Sequence, residues 1–171
     1  FNNKIDLETF KSKIDSMNKR NRLWGFKGMS GQMFFNMLTN VSKENGKIND
    51  FVDILKDCIK IPSSIEDVKK KINKFKEFVE SFYNKVDDKR KAPKSKSIPY
   101  FLSYFWQIQD PEKYPILYNS LEVIFKKLGF LEYDEDLGRY YENFYQLNIE
   151  LKDLFSKESK EKFVFWGVEH V

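Results

Sequence analysis

From Ile65 to Val86 the apolar residues alternate at spacings of three and four: Ile65, Val68, Ile72, Phe75, Val79, Phe82 and Val86. A helix of 3.6 residues per turn brings such positions onto one face, whereas a strand would scatter them over both. The spacing predicts one long helix, about 33 Å at 1.5 Å per residue. Related spacings recur at Leu7, Phe10, Ile14 and Met17, and again at Leu137, Tyr140, Phe144, Leu147, Leu151 and Leu154. Seams this short suit helices that pack on one another in a bundle better than a free coiled coil.

Between the seams stand helix starts and stops. Asp6, Ser30, Asn49 and Ser63 or Ser64 are candidate N-caps, because their side-chain oxygens can accept from the free N–H groups of a first turn. Ser97 with Pro99 begins an aromatic helix, since proline is tolerated where the N–H has no helical partner. Asn119 or Ser120 opens another, and the last long helix is expected over 134–156. Gly46 and Gly129 fall just past predicted helix ends, and Asp110-Pro111 and Tyr114-Pro115-Ile116 force turns or extended chain. No sustained alternation marks a strand, and residues 163–166 fit either state. The expectation is an all-α, irregular bundle of about seven helices. The polar run 87–97, with Ala92 as its apolar anchor, suggests two lobes at about 1–88 and 97–160, joined by a basic linker at 89–96. Residues 161–171 end in an aromatic stretch that reads as the approach to a further domain.

Seventeen Phe, nine Tyr and three Trp supply enough bulk for a core without a staple. Cys58 is the only cysteine, so an internal disulfide is excluded. Its place on the stripe Phe51, Leu55, Cys58 predicts a buried, inert thiol. This cysteine usage, with no signal peptide, points to the cytoplasm. No apolar run reaches the length of a membrane span.

Few catalytic classes survive. Gly25, Gly28 and Gly31 have neither the spacing nor the Lys-Ser/Thr ending of a phosphate-binding loop, and no GxGxxG is present. His170 is the single histidine, which excludes a multi-histidine metal site. Glu132, Asp134, Glu135 and Asp136 form the densest acidic run, at a predicted helix start where carboxylates favour the dipole. No catalytic residue, metal site or cofactor is expected in this chain.

The net charge of +4 is uneven: residues 1–100 hold 22 Lys/Arg against 13 Asp/Glu, and the remainder holds 8 against 13. From Ser16 to Lys43 no acidic residue occurs. Lys19, Arg20, Arg22, Trp24, Phe26 and Lys27 lie in that window. Cations there could neutralise phosphates and an exposed ring could stack on a base; alternatively the rings fill the core and the charges are solvated. The linker adds Lys89, Arg90, Lys91, Lys94 and Lys96. The candidate nucleic-acid-binding residues are Lys19, Arg20, Arg22, Trp24, Lys27, Lys89, Arg90 and Lys91.

One stretch carries a resemblance. Residues 101–121 read Phe-Leu-Ser-Tyr-Phe-Trp-Gln-Ile-Gln-Asp-Pro-Glu-Lys-Tyr-Pro-Ile-Leu-Tyr-Asn-Ser-Leu, which resembles a segment in the N-terminal regions of McrB-like restriction ATPases. The segment Gly-Met-Ser-Gly-Gln-Met-Phe-Phe at 28–35 is similar too. The ending Phe165-Trp166-Gly167-Val168-Glu169-His170-Val171 looks like the approach to their AAA+ motor. The resemblance implies a modular antiviral defence protein of a restriction system. This part would recognise DNA, a nucleotide-hydrolysing ring beyond Val171 would form the oligomer, and a separate McrC-like nuclease would cut. The methylcytosine binder of that group is a mixed α/β domain, from which this helical chain departs, so no binding residues are carried over. The competing expectation is a protein-interaction or assembly module of a larger defence complex.

Overall fold

The computed structural model describes residues 5–21, 26, 28, 30–86, 88–160 and 162–168, without the side chains of 18–21 and 166. It is all-α. Among the described residues seven helices follow one another: α1 (Leu7–Asn21), α2 (Gln32–Glu44), α3 (Ile48–Cys58), α4 (Ile65–Glu80), α5 (Ile98–Gln109), α6 (Asn119–Lys127) and α7 (Leu137–Ser159). A last turn, α8, spans Phe165–Val168, so the ambiguous 163–166 stretch enters a helix. No strand occurs among the described residues.

The core is organised around α5. This helix is apolar on nearly every side, and Phe101, Leu102, Tyr104, Phe105 and Trp106 are all buried. A helix without a polar face must be surrounded. Here α4 and α7 pack against it, while α4 also packs along α7 and against α3. The Phe101 ring sits 5.2–5.9 Å from Phe26, Phe34, Phe35, Phe75 and Phe105, joining α2, α4 and α5. One hydrophobic cluster runs from Leu7 in α1 to Phe144 in α7. Where α7 crosses α4, a Cβ on Gly138 would meet the Cα of Lys69 at 3.1 Å. A side chain there would require α4 to give by a few tenths of an ångström.

Several boundaries differ from those expected. The Ile65–Val86 seam is one helix only to Glu80, after which the chain tightens into a 3₁₀ turn at Tyr83–Lys85. The amides of Ser81 and Phe82 donate to the Glu77 and Val79 carbonyls, and the Ser81 hydroxyl donates to that of Phe78. Phe82 still turns inward, edge-on to Phe78 at 5.0 Å, so burial preserves the spacing past the helix end. The helix α3 starts at Ile48 with no side-chain cap, not at an Asn49 cap. Ser30 does not cap α2, whose N-cap is Gly31. A Cβ there would meet the Phe26 carbonyl oxygen at 2.5 Å. Asn119 is the first residue of α6 and Tyr118 its N-cap. The helix α7 begins and ends three residues later than 134–156, with Asp136 as its cap.

The segment over 88–97 is fastened to the core. Ala92, Pro93 and Ser97 are buried, and a 3₁₀ turn spans Ser95–Ser97. The extended chain at 114–118 has no helical partners for its backbone. Side chains supply them: Ser103 Oγ accepts from the Leu117 amide at 3.0 Å, and the Tyr141 hydroxyl donates to the Pro115 carbonyl at 2.7 Å.

Candidate functional site

The two basic segments fare differently. Lys19 and Arg20 fall in α1, with their side chains outside the described residues, and Arg22, Trp24 and Lys27 lie wholly outside them. Phe26 is described and is fully buried among Phe35, Phe101, Tyr104 and Phe105. That ring fills the core and has no face left for a base.

Lys89, Arg90 and Lys91 are exposed, on a turn held down by Ala92 and Pro93. Lys89 donates to the Tyr83 carbonyl, and its ammonium sits 4.6 Å from the centre of the Tyr83 ring. The Arg90 guanidinium forks onto the Asp88 carboxylate at 3.0 and 3.1 Å, although its side chain is 90% exposed. These hydrogen bonds hold the Asp88 carboxyl below its ordinary pKa. Lys91, Lys94 and Lys96 are exposed and form no ion pair among the described residues.

Behind this turn lies a cleft that no pattern in the sequence predicts. Two adjoining cavities of about 400 and 450 Å³ share Ala92, Lys94, Lys96, Tyr133 and Leu137 as walls. The first is floored by Glu122 of α6, only 8% exposed. Its carboxylate accepts from the hydroxyls of Tyr100 (α5) and Tyr140 (α7), and from Lys126 Nζ at 2.6 Å. Burial pushes the Glu122 pKa up, but the Lys126, Tyr100 and Tyr140 hydrogen bonds outweigh it and hold the carboxyl below its ordinary value. Burial, then the bond to Glu122, pushes both tyrosines well above theirs. The Lys126 ammonium also lies 5.2 and 5.5 Å from the Tyr140 and Tyr133 ring centres. The floor of the first cavity is therefore a neutralised ion pair, and Lys94 and Lys96 stand at the rim it shares with the second cavity, which also carries the Glu80 and Glu135 carboxylates. The Glu122–Lys126 spacing of four is the one readable signal; the tyrosines come from helices distant in sequence.

The acidic run serves the start of α7. Asp136 Oδ1 accepts from the amides of Gly138 and Arg139 at 2.9 and 3.1 Å, and Asp134 Oδ1 accepts from the Asp136 amide at 2.8 Å. Among the described residues no group of three or more His, Cys, Asp or Glu is placed to hold a metal ion. Cys58 is buried, its thiol donating to the Lys71 carbonyl at 3.5 Å, and burial pushes its pKa up to about 12. Thiolate chemistry is suppressed there. No described helix is long and apolar enough to cross a membrane.

No protein-family model, curated protein or solved structure matches the chain.

Proposed function

We propose that this domain binds DNA through its phosphates, as the N-terminal recognition module of a McrB-like AAA+ protein in a restriction system. The observation that carries the reading is the cationic turn at 89–96, seated on buried Ala92 and Pro93. A cation on an anchored turn loses less freedom on meeting a phosphate than one on a free linker. Contacts of this kind add affinity without sequence discrimination. Lys91 is the strongest contributor of the three residues at 89–91, because Lys89 and Arg90 already have intramolecular partners. Lys19, Arg20, Arg22, Trp24 and Lys27 form the second proposed contact. A nucleotide-hydrolysing motor and a McrC-like nuclease complete the machine in this reading.

The test is a titration of duplex and single-stranded DNA at several salt concentrations, with Lys89→Ala, Arg90→Ala and Lys91→Ala combined in one variant. The logarithmic salt slope should flatten by up to about 1.8 units, roughly 0.9 for each of two phosphates no longer neutralised, with Lys91 the larger share. An unchanged slope would remove this turn from the interface.

A specific surface favours a second reading, the assembly module. Val123, Ile124 and Leu128 on or beside α6, and Phe130 just beyond it, are 49–63% exposed. Apolar exposure of this kind often marks a protein-binding face. Loss of self-association or partner capture in Leu128→Ser/Phe130→Ser, with DNA binding intact, would support it.

A further inference from the structure

We infer that the cleft between α5, α6, α7 and the 92–97 segment is a binding site for a mononucleotide, a planar nitrogenous ring carrying a phosphate. The first cavity, at about 400 Å³, lies in the range of roughly 300–1,000 Å³ typical of small-molecule sites. Its lining includes two accessible rings, Tyr133 at the mouth, 57% exposed, and the half-buried Tyr100 beside the floor, backed by the buried rings of Phe34 and Tyr140. Flat apolar walls favour a flat ligand, and a heteroaromatic ring stacks on tyrosine whatever its identity.

The polar groups narrow the class. Glu122 Oε1 accepts from Tyr140 and Lys126, while Oε2 accepts, among the described residues, from Tyr100. A carboxylate oxygen has room for two donors, so Oε2 can take one more, such as an exocyclic amino group or a ring N–H. The Glu122 charge is already offset by Lys126, which disfavours a cationic ligand. At the rim, Lys94 and Lys96 line both cavities and form no ion pair among the described residues. An anionic group on the ligand completes them. One ring-binding floor with a hydrogen-bond acceptor, and two ammoniums at the mouth, match base and phosphate in one molecule.

The site shares Lys94 and Lys96 with the cationic turn at 89–96, but its floor and rings are separate from Lys89, Arg90 and Lys91, so Tyr133→Ala and the 89–91 variant let each reading fail alone. The test is two-dimensional amide NMR of the labelled chain titrated with adenosine 5′-monophosphate and cytidine 5′-monophosphate. Adenosine, cytidine and inorganic phosphate serve as part-ligands. Saturable shifts at residues 94–100, 119–126 and 133–140 are expected with at least one mononucleotide. Lys94→Ala/Lys96→Ala should weaken that binding about tenfold or more, as loss of charged hydrogen bonds does. Tyr133→Ala, at an exposed position that leaves the core intact, should weaken both the nucleotide and its nucleoside. Competition by a short single-stranded oligonucleotide would assign the ligand to a strand; failure to compete would assign it to free nucleotides. Equal shifts from inorganic phosphate alone, indifference to both variants, or no saturable shift with any mononucleotide would overturn the inference.

Discussion

At the scale of single residues, Trp106 concentrates the most consequence. Its ring is fully buried between Tyr114 and Tyr141, and its Nε1 donates to the Cys58 carbonyl at 2.9 Å. That bond ties α5 to the end of α3, before the Asp110-Pro111 turn. Trp106→Ala should cost about 3–5 kcal/mol, as should Phe105→Ala. Trp106→Phe should cost about 1–3 kcal/mol, because it strands the Cys58 carbonyl. Urea unfolding monitored by far-ultraviolet circular dichroism reads all three, and unchanged midpoints would place α5 at the periphery. Cys58 makes a second prediction. Its folded pKa, raised to about 12, lies above its ordinary 9.0. The unfolded thiol therefore ionises first, and its contribution to stability is complete below pH 9 and lost as pH climbs towards 12. Tyr100, Tyr114 and Tyr140, also raised, add to the same alkaline loss. The native thiol should resist alkylation at about pH 8 and react on unfolding. Rapid labelling of folded protein would refute its burial.

At the scale of the element, helix starts are held by few side chains. Asp136 serves two amides of α7, and Ser64 Oγ accepts from the Asp67 amide of α4 at 3.2 Å. Asp136→Ala should cost about 0.5–2 kcal/mol, visible in the same unfolding curves. A control at the exposed Glu150 of the same helix, Glu150→Gln, should stay within about 0.5 kcal/mol. Elements are the most legible layer of the sequence. The period of Ile65, Val68, Ile72, Phe75 and Val79 is a one-dimensional record of one buried face. It overruns at Phe82 and Val86 because a 3₁₀ turn can keep a ring pointing inward while the helix ends, and side-chain spacing does not register hydrogen bonding. Asn49 and Ser30 mislead because a capping residue type says nothing of whether its oxygen reaches an amide. The candidate site is far less legible. Glu122, Tyr100 and Tyr140 lie on three helices, and only tertiary packing brings them together. Conversely, the linker-like look of 89–96 is a composition effect; two buried residues, Ala92 and Pro93, suffice to seat it.

At the scale of the whole molecule, helices surround an aromatic core, a cationic turn faces outward, and a ring-lined cleft lies behind that turn. Nothing in the chain's sequence provides a phosphate-binding loop, so the isolated domain should hydrolyse no nucleoside triphosphate. A phosphate-release assay against a buffer blank checks this, and turnover abolished by a single substitution would reveal a missed site. The central claim is that the domain meets DNA through phosphates. Its most direct test is the salt dependence of the binding constant for unmodified and methylated duplex. With about four phosphates neutralised, the logarithmic slope should be near −3.6, a loss of roughly a hundredfold between 50 and 200 mM salt. Removing Arg20 and Arg22 should flatten it by up to about two units, as removing Lys91 should by about one. No binding to any DNA at low salt would contradict the claim and leave the exposed face of α6 as the stronger guide to function.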